Sequence, residues 1–403
     1  MIWLAVPLLM LFSAAAFALG RRRAEAATAE AAAPFHSRPG HYGLYVALWT
    51  AIPAVILLLI AQLAAPTLDA ATPGAGSLAR ASALSLAGVS ALVGLFSALA
   101  RVAPALRARA AVERVFRILL LVSSAAAVLT MAGIVLSLAA ESLRFFAMVS
   151  PAQFFSGVVW DPEIGAFGAW RLFARSALVA LTAILTCAPA GVLAAVYLAE
   201  YASPRVRAVL KPGLEMLAGA PGVVWGLFAA LTLAPVLHET LAALRLTLGP
   251  GAQLSLIAGV AIGMMLLPFV AALSDDVLRA TPSSLRWGSY AAGATKSETV
   301  LRVVLPTAWP GIGAALLLAL GRALGETMIV VMAAGLIARA GLETTPGVSA
   351  VSAEIASLLH WDQDFARPTT LAAYGLGLTL FLATLGINFA AQKIVRAYGE
   401  RHV

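Results

Sequence analysis

Residues 311 to 335 read GIGAALLLALGRALGETMIVVMAAG, an apolar run with two charged residues inside it, Arg322 and Glu326. The run is long enough to cross a bilayer as one helix. At ~1.5 Å per residue, Arg322 lies roughly 16 Å from Gly311, near mid-depth, and Glu326 follows one turn later on the same face. Because an arginine at that depth costs about 2.5–3.5 kcal/mol on insertion scales, the sequence predicts a functional Arg–Glu pair. An ion pair that only holds helices together is the alternative.

The composition is that of a membrane protein. Hydrophobic residues make up 61% and charged residues 11% of the 403 residues, and the mean hydropathy is +0.93. We therefore predict an all-α polytopic membrane protein with about nine transmembrane helices. The net charge of +8 does not indicate nucleic-acid binding, because the basic residues lie between the apolar runs. The predicted spans are, approximately, residues 2–19, 43–65, 79–100, 117–140, 173–200, 213–236, 253–274, 311–335 and 370–392.

The basic residues are distributed unequally between the two sides of this predicted topology. Of the 27 Lys and Arg residues, 19 fall on the same side as the loop 275–310 and 7 on the other, with Arg322 inside the membrane. The positive-inside rule then places that loop and the C-terminus in the cytoplasm and the N-terminus outside. The densest basic cluster, from Arg101 to Arg117, marks the predicted boundary between an N-terminal extension, 1–114, and a core, 115–403.

Motifs for ATP hydrolysis and metal binding are missing from the sequence. None of the lysines, Lys211, Lys296 and Lys393, follows a glycine in the arrangement that cradles nucleotide phosphates. The five histidines show no metal-ligand spacing. We therefore expect no catalytic residue, no cofactor and no metal site in this chain.

The loop before the apolar run carries a motif with a characteristic spacing. Gly293 is followed, after nine residues, by Val303-x-Leu305-Pro306, which resembles the second half of the Glu-Ala-Ala loop of bacterial binding-protein-dependent ABC importer permeases. Trp287-Gly288-Ser289 stands where that family has Glu-Ala-Ala. The resemblance implies a short cytoplasmic coupling helix that docks in a groove of an ATPase subunit. The implied coupling residues are Trp287, Gly288, Ser289, Gly293, Ala294, Thr295, Val303, Leu305 and Pro306.

Residues 115–403 resemble, more narrowly, the PstC-type permeases of phosphate importers. The likeness is carried by the segments 197–201, 210–226, 278–286, 293–296 and 321–328, with Trp160-Asp-Pro162 and Asn388. It implies a type I ABC importer permease core of six helices, with a transmembrane domain at about 173–392, in a bacterial inner membrane. Residues 1–114 would be the extension of long family members, with about three helices. The implied partners are a sister permease, two ATPase subunits that hydrolyse ATP, a periplasmic phosphate-binding protein and membrane lipid.

The charged pair suits an anionic substrate. A guanidinium holds a phosphate by two parallel hydrogen bonds, and a nearby carboxylate can hold the guanidinium when phosphate is absent. We therefore expect Arg322 and Glu326 to lie on the phosphate path of an ATP-driven importer. The A-type sister permease and a permease for a related oxyanion are alternatives. A secondary anion transporter would not need the Gly293–Pro306 loop, and a membrane scaffold would not need Arg322.

Overall fold

A computed structural model of the chain describes residues 2–30, 36–339, 350–361 and 367–399, which are almost entirely helical. The chain divides into two compact units, Met1–Ala132 and Gly133–Val403. The division falls within the helix Ala108–Met148, after Ala132, and so lies 18 residues beyond the predicted boundary at 114. The all-α class predicted from the composition is confirmed.

The first unit is built from helices that approach one another through small residues. It contains α1 (Ile2–Glu30), α2 (Pro39–Ala71), α3 (Ala75–Ala100) and the beginning of α4 (Ala108–Met148). A Cβ atom on Gly43 would lie 2.7 Å from the Phe17 carbonyl oxygen, and one on Gly94 would overlap the Trp49 carbonyl oxygen. Inside a membrane the hydrophobic effect does not drive helices together, so this close backbone contact supplies the packing energy.

The second unit contains the rest of α4 and twelve further helices in its described part. They are α5 (Pro151–Ser156), α6 (Trp170–Val196), α7 (Pro204–Ala218), α8 (Gly222–Phe228), α9 (Ala234–Ala243), α10 (Pro250–Ala280), α11 (Ser283–Ala291), α12 (Lys296–Thr299), α13 (Leu305–Gly325), α14 (Met328–Arg339), α15 (Val351–Trp361) and α16 (Pro368–Gly399). Three π-helical segments, Tyr197–Tyr201, Ala229–Leu233 and Val300–Val304, extend α6, join α8 to α9, and join α12 to α13.

The core of this unit is centred on α6 and α10, which pack along their length. Cβ atoms on Gly259 and Gly263 of α10 would each come 2.5 Å from a threonine Cβ of α6. Buried Ala183, Ala258 and Ile262 fill the same contact, and α13 packs against both helices. Glycine and alanine therefore set the distance between α6 and α10. These two helices in turn support α13, which carries Arg322.

The segment between α4 and α6 folds as a small aromatic cap. Strand β1 (Trp160–Asp161) pairs antiparallel with β2 (Ala166–Phe167). Phe145 and Phe154 pack edge-to-face against each other and against this hairpin. The Trp160 indole N–H donates to Glu354 Oε1 at 3.0 Å, which ties the hairpin to α15.

Eight helical segments of the described chain are long and apolar enough to cross a membrane. The first predicted span, 2–19, lies in α1, which is helical but is not one of the eight. The eight segments confirm the predicted polytopic organisation. The eight segments are Pro39–Ala71, Ala75–Ala100, Ala108–Met148, Trp170–Tyr201, Gly222–Ala243, Gly251–Ala280, Lys296–Gly325 and Pro368–Arg396.

Two predicted spans are wrong in their bounds. The predicted span 213–236 starts too early, because α7 ends at Ala218 and the next helix begins only at Gly222, after Pro221 in an extended conformation. The predicted helix 311–335 is interrupted, because α13 ends at Gly325 and α14 begins at Met328. In the other direction the helix runs back to Lys296, so residues 296–310 of the predicted loop are helical.

The close contact between α2 and α3 leads to a prediction. We expect Gly94→Ala to destabilise the protein by about 1–3 kcal/mol, because the new methyl group overlaps the Trp49 backbone. Gly88→Ala is the matched control on the same helix: a Cβ there meets nothing within 4 Å, so it should be neutral or stabilising. Thermal unfolding of the two full-length variants in detergent measures the difference. Equal midpoints would show that this contact does not limit the packing of α2 and α3.

Candidate functional site

Arg322 lies in the last turn of α13 and is exposed on the surface of the single chain. Its guanidinium carbon is 5.4 Å from the centroid of the Phe269 ring, a cation–π contact. Phe269 is four residues from Met265, the midpoint of α10. Arg322 therefore lies level with the middle of a membrane-spanning helix, in agreement with the depth estimated from the sequence.

Glu326 does not lie on a continuous helix with Arg322. Its ψ of 119° is extended, which ends α13 at Gly325. Among the described residues, no carboxylate lies within 4.0 Å of the Arg322 guanidinium nitrogens. The predicted ion pair on one helix face is therefore wrong, because the chain turns away between the two residues.

The break at Glu326 is stabilised by hydrogen bonds that replace the helical ones. The Met328 N–H donates to Glu326 Oε1 at 3.2 Å, so the carboxylate caps the beginning of α14. The Ser352 hydroxyl of α15 donates to the Glu326 carbonyl oxygen at 2.9 Å. The carboxylate also lies at the beginning of α8, since a Cβ on Gly222 would be 3.2 Å from Oε1. Non-helical backbone at membrane depth is tolerated where it is buried in protein or lines a water-filled cavity.

Asn388 of α16 also lies beside this segment. A Cβ atom on Gly321 would lie 3.0 Å from Asn388 Oδ1, so the side-chain amide is next to the residue before Arg322. The sequence singled out Asn388 only as part of the family resemblance. The Asn388 amide is therefore a hydrogen-bonding group next to the backbone of α13, one residue before Arg322.

The predicted coupling residues run from α11, through the turn that follows it, to the beginning of α13. Trp287, Gly288 and Ser289 lie on α11, a nine-residue helix without a buried residue. The Trp287 side chain is 69% exposed and contacts Tyr290 edge-to-face, with ring centroids 6.0 Å apart. The remaining residues follow in order: Gly293 and Ala294 form the turn, Thr295 caps α12, Val303 lies in the π-helical segment, and Leu305 and Pro306 begin α13.

The turn between α11 and α12 depends on its sequence. Gly293 has φ of +85°, a left-handed conformation that is costly for residues with a Cβ. Thr295 and Glu298 form a reciprocal capping box, in which the Thr295 N–H donates to Glu298 Oε2 at 2.8 Å. Glycine and this cap therefore hold α11 at a fixed angle to the helix that carries Arg322.

A buried ion pair anchors α11 to the membrane-spanning helices. The Arg286 guanidinium donates to Glu200 Oε1 at 2.8 and 3.1 Å, and to the carbonyl oxygens of Thr281 and Leu278, each at 2.7 Å. Glu200 belongs to the π-helical end of α6, and the two carbonyls to the end of α10. Both charged side chains are mostly buried, at 18% and 7% exposed. The sequence analysis missed this role, although both residues lie within motifs that it quoted.

A second charged network ties α7 to α10. Asp275 is 1% exposed and accepts hydrogen bonds from the Arg207 guanidinium, at 2.8 Å from Nη1, and from Lys211 Nζ at 3.2 Å. Lys211 also donates to Asp276, and that hydrogen bond raises the pKa of Lys211. Among the described residues, no group of three or more His, Cys, Asp or Glu side chains could hold a metal ion. These contacts connect α7 to the end of α10, the helix that directly precedes α11.

Two family models and several curated proteins are similar to this chain. Residues 188–400 match the family described as binding-protein-dependent transport system inner membrane component, and residues 6–79 match one described as phosphate ATP-binding cassette transporter. Phosphate transport system permease protein PstC 2 of Mycobacterium tuberculosis is 34% identical over 305 residues, which cover 70% of this chain and 91% of that protein. The PstC protein of Mesorhizobium japonicum is 30% identical over 282 residues, with coverages of 67% and 85%.

Solved structures of the MetNI methionine ABC transporter, in inward-facing conformations, also align with part of the chain. Two of them have TM-scores of 0.40 and 0.41, at 19% and 20% identity. They cover 57% and 60% of this chain and 94% and 99% of the aligned chains.

The sequence matches include both parts of the site. The family match at residues 188–400 contains α11, Arg322, Glu326 and Asn388. The relative in Mycobacterium tuberculosis extends the similarity over most of both chains. The chain therefore belongs to the family of binding-protein-dependent transport system inner membrane components, and within it to the multi-pass phosphate transport system permeases of the PstC type.

Proposed function

We propose that this chain forms, with a second permease subunit, the phosphate path of an ATP-driven importer, and that Arg322 binds the anion on that path. The observation that carries the proposal is an exposed guanidinium, level with the middle of α10, without a carboxylate within 4.0 Å in the described chain. An arginine at that depth faces protein or a water-filled path rather than lipid. A path between two permeases meets that requirement, because the partner covers the exposed face and water reaches the guanidinium.

The chemistry of Arg322 suits phosphate. A guanidinium presents parallel N–H donors that match two phosphate oxygens, and these charge-assisted hydrogen bonds are about twice as strong as neutral ones. Since Glu326 is turned into the cap of α14, it does not compete for those donors. Glu326 then acts on the path by holding the broken helix in place, rather than by neutralising Arg322. Asn388, beside Gly321, adds a neutral hydrogen-bonding group.

The coupling to ATP hydrolysis runs through α11. We place α11 and the C-terminus in the cytoplasm and the N-terminus outside, following the distribution of basic residues. There the exposed Trp287 side chain, with the half-buried Tyr290 ring beside it, offers an apolar surface for one of two ATPase subunits. A displacement of α11 acts on α6 and α10 through the four hydrogen bonds of Arg286. α10 also carries Phe269, which contacts Arg322. The docking helix α11 and the proposed anion site are therefore both in contact with α10.

The overall proposal is tested by phosphate uptake. Membrane vesicles that contain this chain, its sister permease and the ATPase subunits should take up labelled phosphate only with ATP inside and a periplasmic phosphate-binding protein outside. Unlabelled sulfate and molybdate serve as competitors. Uptake without the ATPase subunits would indicate a secondary transporter, and stronger competition by sulfate or molybdate than by phosphate would indicate a different oxyanion.

The role of Arg322 predicts a loss of transport even when its charge is kept. We expect Arg322→Lys to lower phosphate uptake per assembled complex by roughly tenfold, because an ammonium group is a point charge and cannot make two parallel hydrogen bonds. Arg22→Lys, at an exposed position of α1, is the control and should transport at the parental rate. Parental uptake by Arg322→Met would show that Arg322 is not on the path.

The role of Glu326 predicts that its shape matters more than its charge for stability. We expect Glu326→Gln to unfold at nearly the parental temperature, because the amide oxygen can still accept from the Met328 N–H. Glu326→Ala removes the cap and should cost about 1 kcal/mol. Thermal unfolding of both variants in detergent distinguishes them. If the two variants lose the same stability, the carboxylate charge, and not the cap, holds the break.

The turn at Gly293 predicts an effect on assembly. We expect Gly293→Ala to weaken retention of the ATPase subunit by up to about tenfold, because an alanine at φ of +85° costs about 1–2 kcal/mol and shifts α11. Gly213→Ala is the control, on α7, where a Cβ meets nothing within 4 Å and φ is negative. Affinity pull-down of the ATPase subunit with each variant gives the result. Full retention of the ATPase subunit by Gly293→Ala would show that the conformation of this turn does not affect docking.

A further inference from the structure

The first unit contains an apolar cavity that the transport path does not use. Its volume is about 410 Å³, within the roughly 300–1,000 Å³ usual for small-molecule sites. The walls come from the beginning of α2, from the connection before α4, and from the first turns of α4. Apart from one arginine, they are almost wholly hydrocarbon and aromatic rings. The lining includes Tyr45, Trp49, Pro53, Leu106, Val115 and Arg114.

The cavity is preformed by contacts between its walls. The Tyr42 hydroxyl donates to the Leu106 carbonyl oxygen at 2.8 Å, which fixes the connection between α3 and α4 to α2. Val46 and Val112 are buried in the same apolar cluster. Tyr45 and Trp49 lie side by side, with ring centroids 6.2 Å apart. Because tyrosine and tryptophan are enriched at the membrane–water interface, we infer that the cavity opens near the depth of lipid headgroups.

Most of the arginines near this cavity have no carboxylate in ion-pair distance among the described residues. Of the five arginines between 101 and 117, Arg109 pairs with Glu113 at 2.6 Å. The other four have no carboxylate within 4.0 Å in the described part of the chain. Arg114 lines the cavity itself, and Arg101 lies over the Trp49 ring at 5.4 Å. An apolar cavity therefore has unneutralised guanidinium groups beside it.

We propose that this cavity binds an anionic phospholipid. One acyl chain lies against Trp49, Pro53 and Val115, and the headgroup phosphate accepts hydrogen bonds from Arg114, with Arg101 contributing to the positive potential. Basic pockets between membrane helices bind anionic headgroups in this way. A free phosphate ion would meet the arginines but leave the hydrocarbon wall empty, and a zwitterionic lipid would fill the cavity without neutralising the excess charge. The proposal does not depend on the transport path in the second unit.

The test uses the full-length chain in detergent. Native mass spectrometry counts bound lipid during titration with dioleoyl phosphatidylglycerol or dioleoyl phosphatidylcholine. We expect tighter binding of phosphatidylglycerol, and we expect Arg114→Gln to weaken that binding about fivefold. The binding of phosphatidylcholine should weaken less, because its choline group already offsets the charge of its phosphate. Arg117→Gln is the matched control, since Arg117 lies one turn further on α4, has no carboxylate within 4.0 Å in the described chain, and does not line the cavity. Val115→Phe, which fills the cavity, should weaken both lipids.

Three results would overturn the proposal. Equal binding of the two lipids by the parental chain would remove the anionic preference. An equal loss in Arg114→Gln and Arg117→Gln would indicate diffuse surface charge instead of a site. Displacement of phosphatidylglycerol by inorganic phosphate at equal concentration would show that the arginines bind a free anion. Because Arg114 is exposed, unaltered helix content in Arg114→Gln should accompany the measurement.

Discussion

Backbone N–H and C=O groups cannot be left without partners in the hydrocarbon of a membrane, and the structure of this chain depends on that constraint. It explains why nearly all of the described chain is helical. It also explains what surrounds the interruption between α13 and α14. There the Glu326 carboxylate accepts from the Met328 N–H, and Ser352 donates to the Glu326 carbonyl. The short helix α15, which brings Ser352, therefore helps to stabilise the interruption between α13 and α14.

The charged residues of the second unit fall into two kinds. Arg286 with Glu200, and Arg207 with Asp275, are buried pairs in which the donors have acceptors. Removing one member of such a pair typically costs 3–5 kcal/mol, because a buried charge is left behind. Arg322 is different, since it lies over an aromatic ring and has no carboxylate within 4.0 Å in the described chain. The contrast indicates that the paired groups fix the helices, whereas the Arg322 guanidinium is available to a partner or an anion from outside the chain.

Several features of the site could be predicted from the sequence because they depend on neighbours along the chain. The family resemblance carried by Gly293 to Pro306 implied a short helix in this loop, and the structure has α11 followed by a glycine at positive φ. The length of the apolar run placed Arg322 near mid-depth. The pairing of Arg322 with Glu326 was wrong, because the apolar pattern continues unchanged through Gly325 and Thr327. Nothing local in that pattern distinguishes a continuous helix from two short ones.

The sequence by itself determined the membrane class, the approximate spans and the positions of the charged residues, because hydrophobicity and helical spacing are local properties. Only the tertiary structure decided which charges meet. Ser352, which holds the break, lies 26 residues from Glu326, and Glu200 lies 86 residues from Arg286. Likewise, the lipid-sized cavity forms only when the beginnings of α2 and α4 come together. Such contacts depend on how helices pack through their small residues, and that packing joins residues whose separation along the chain carries no signal.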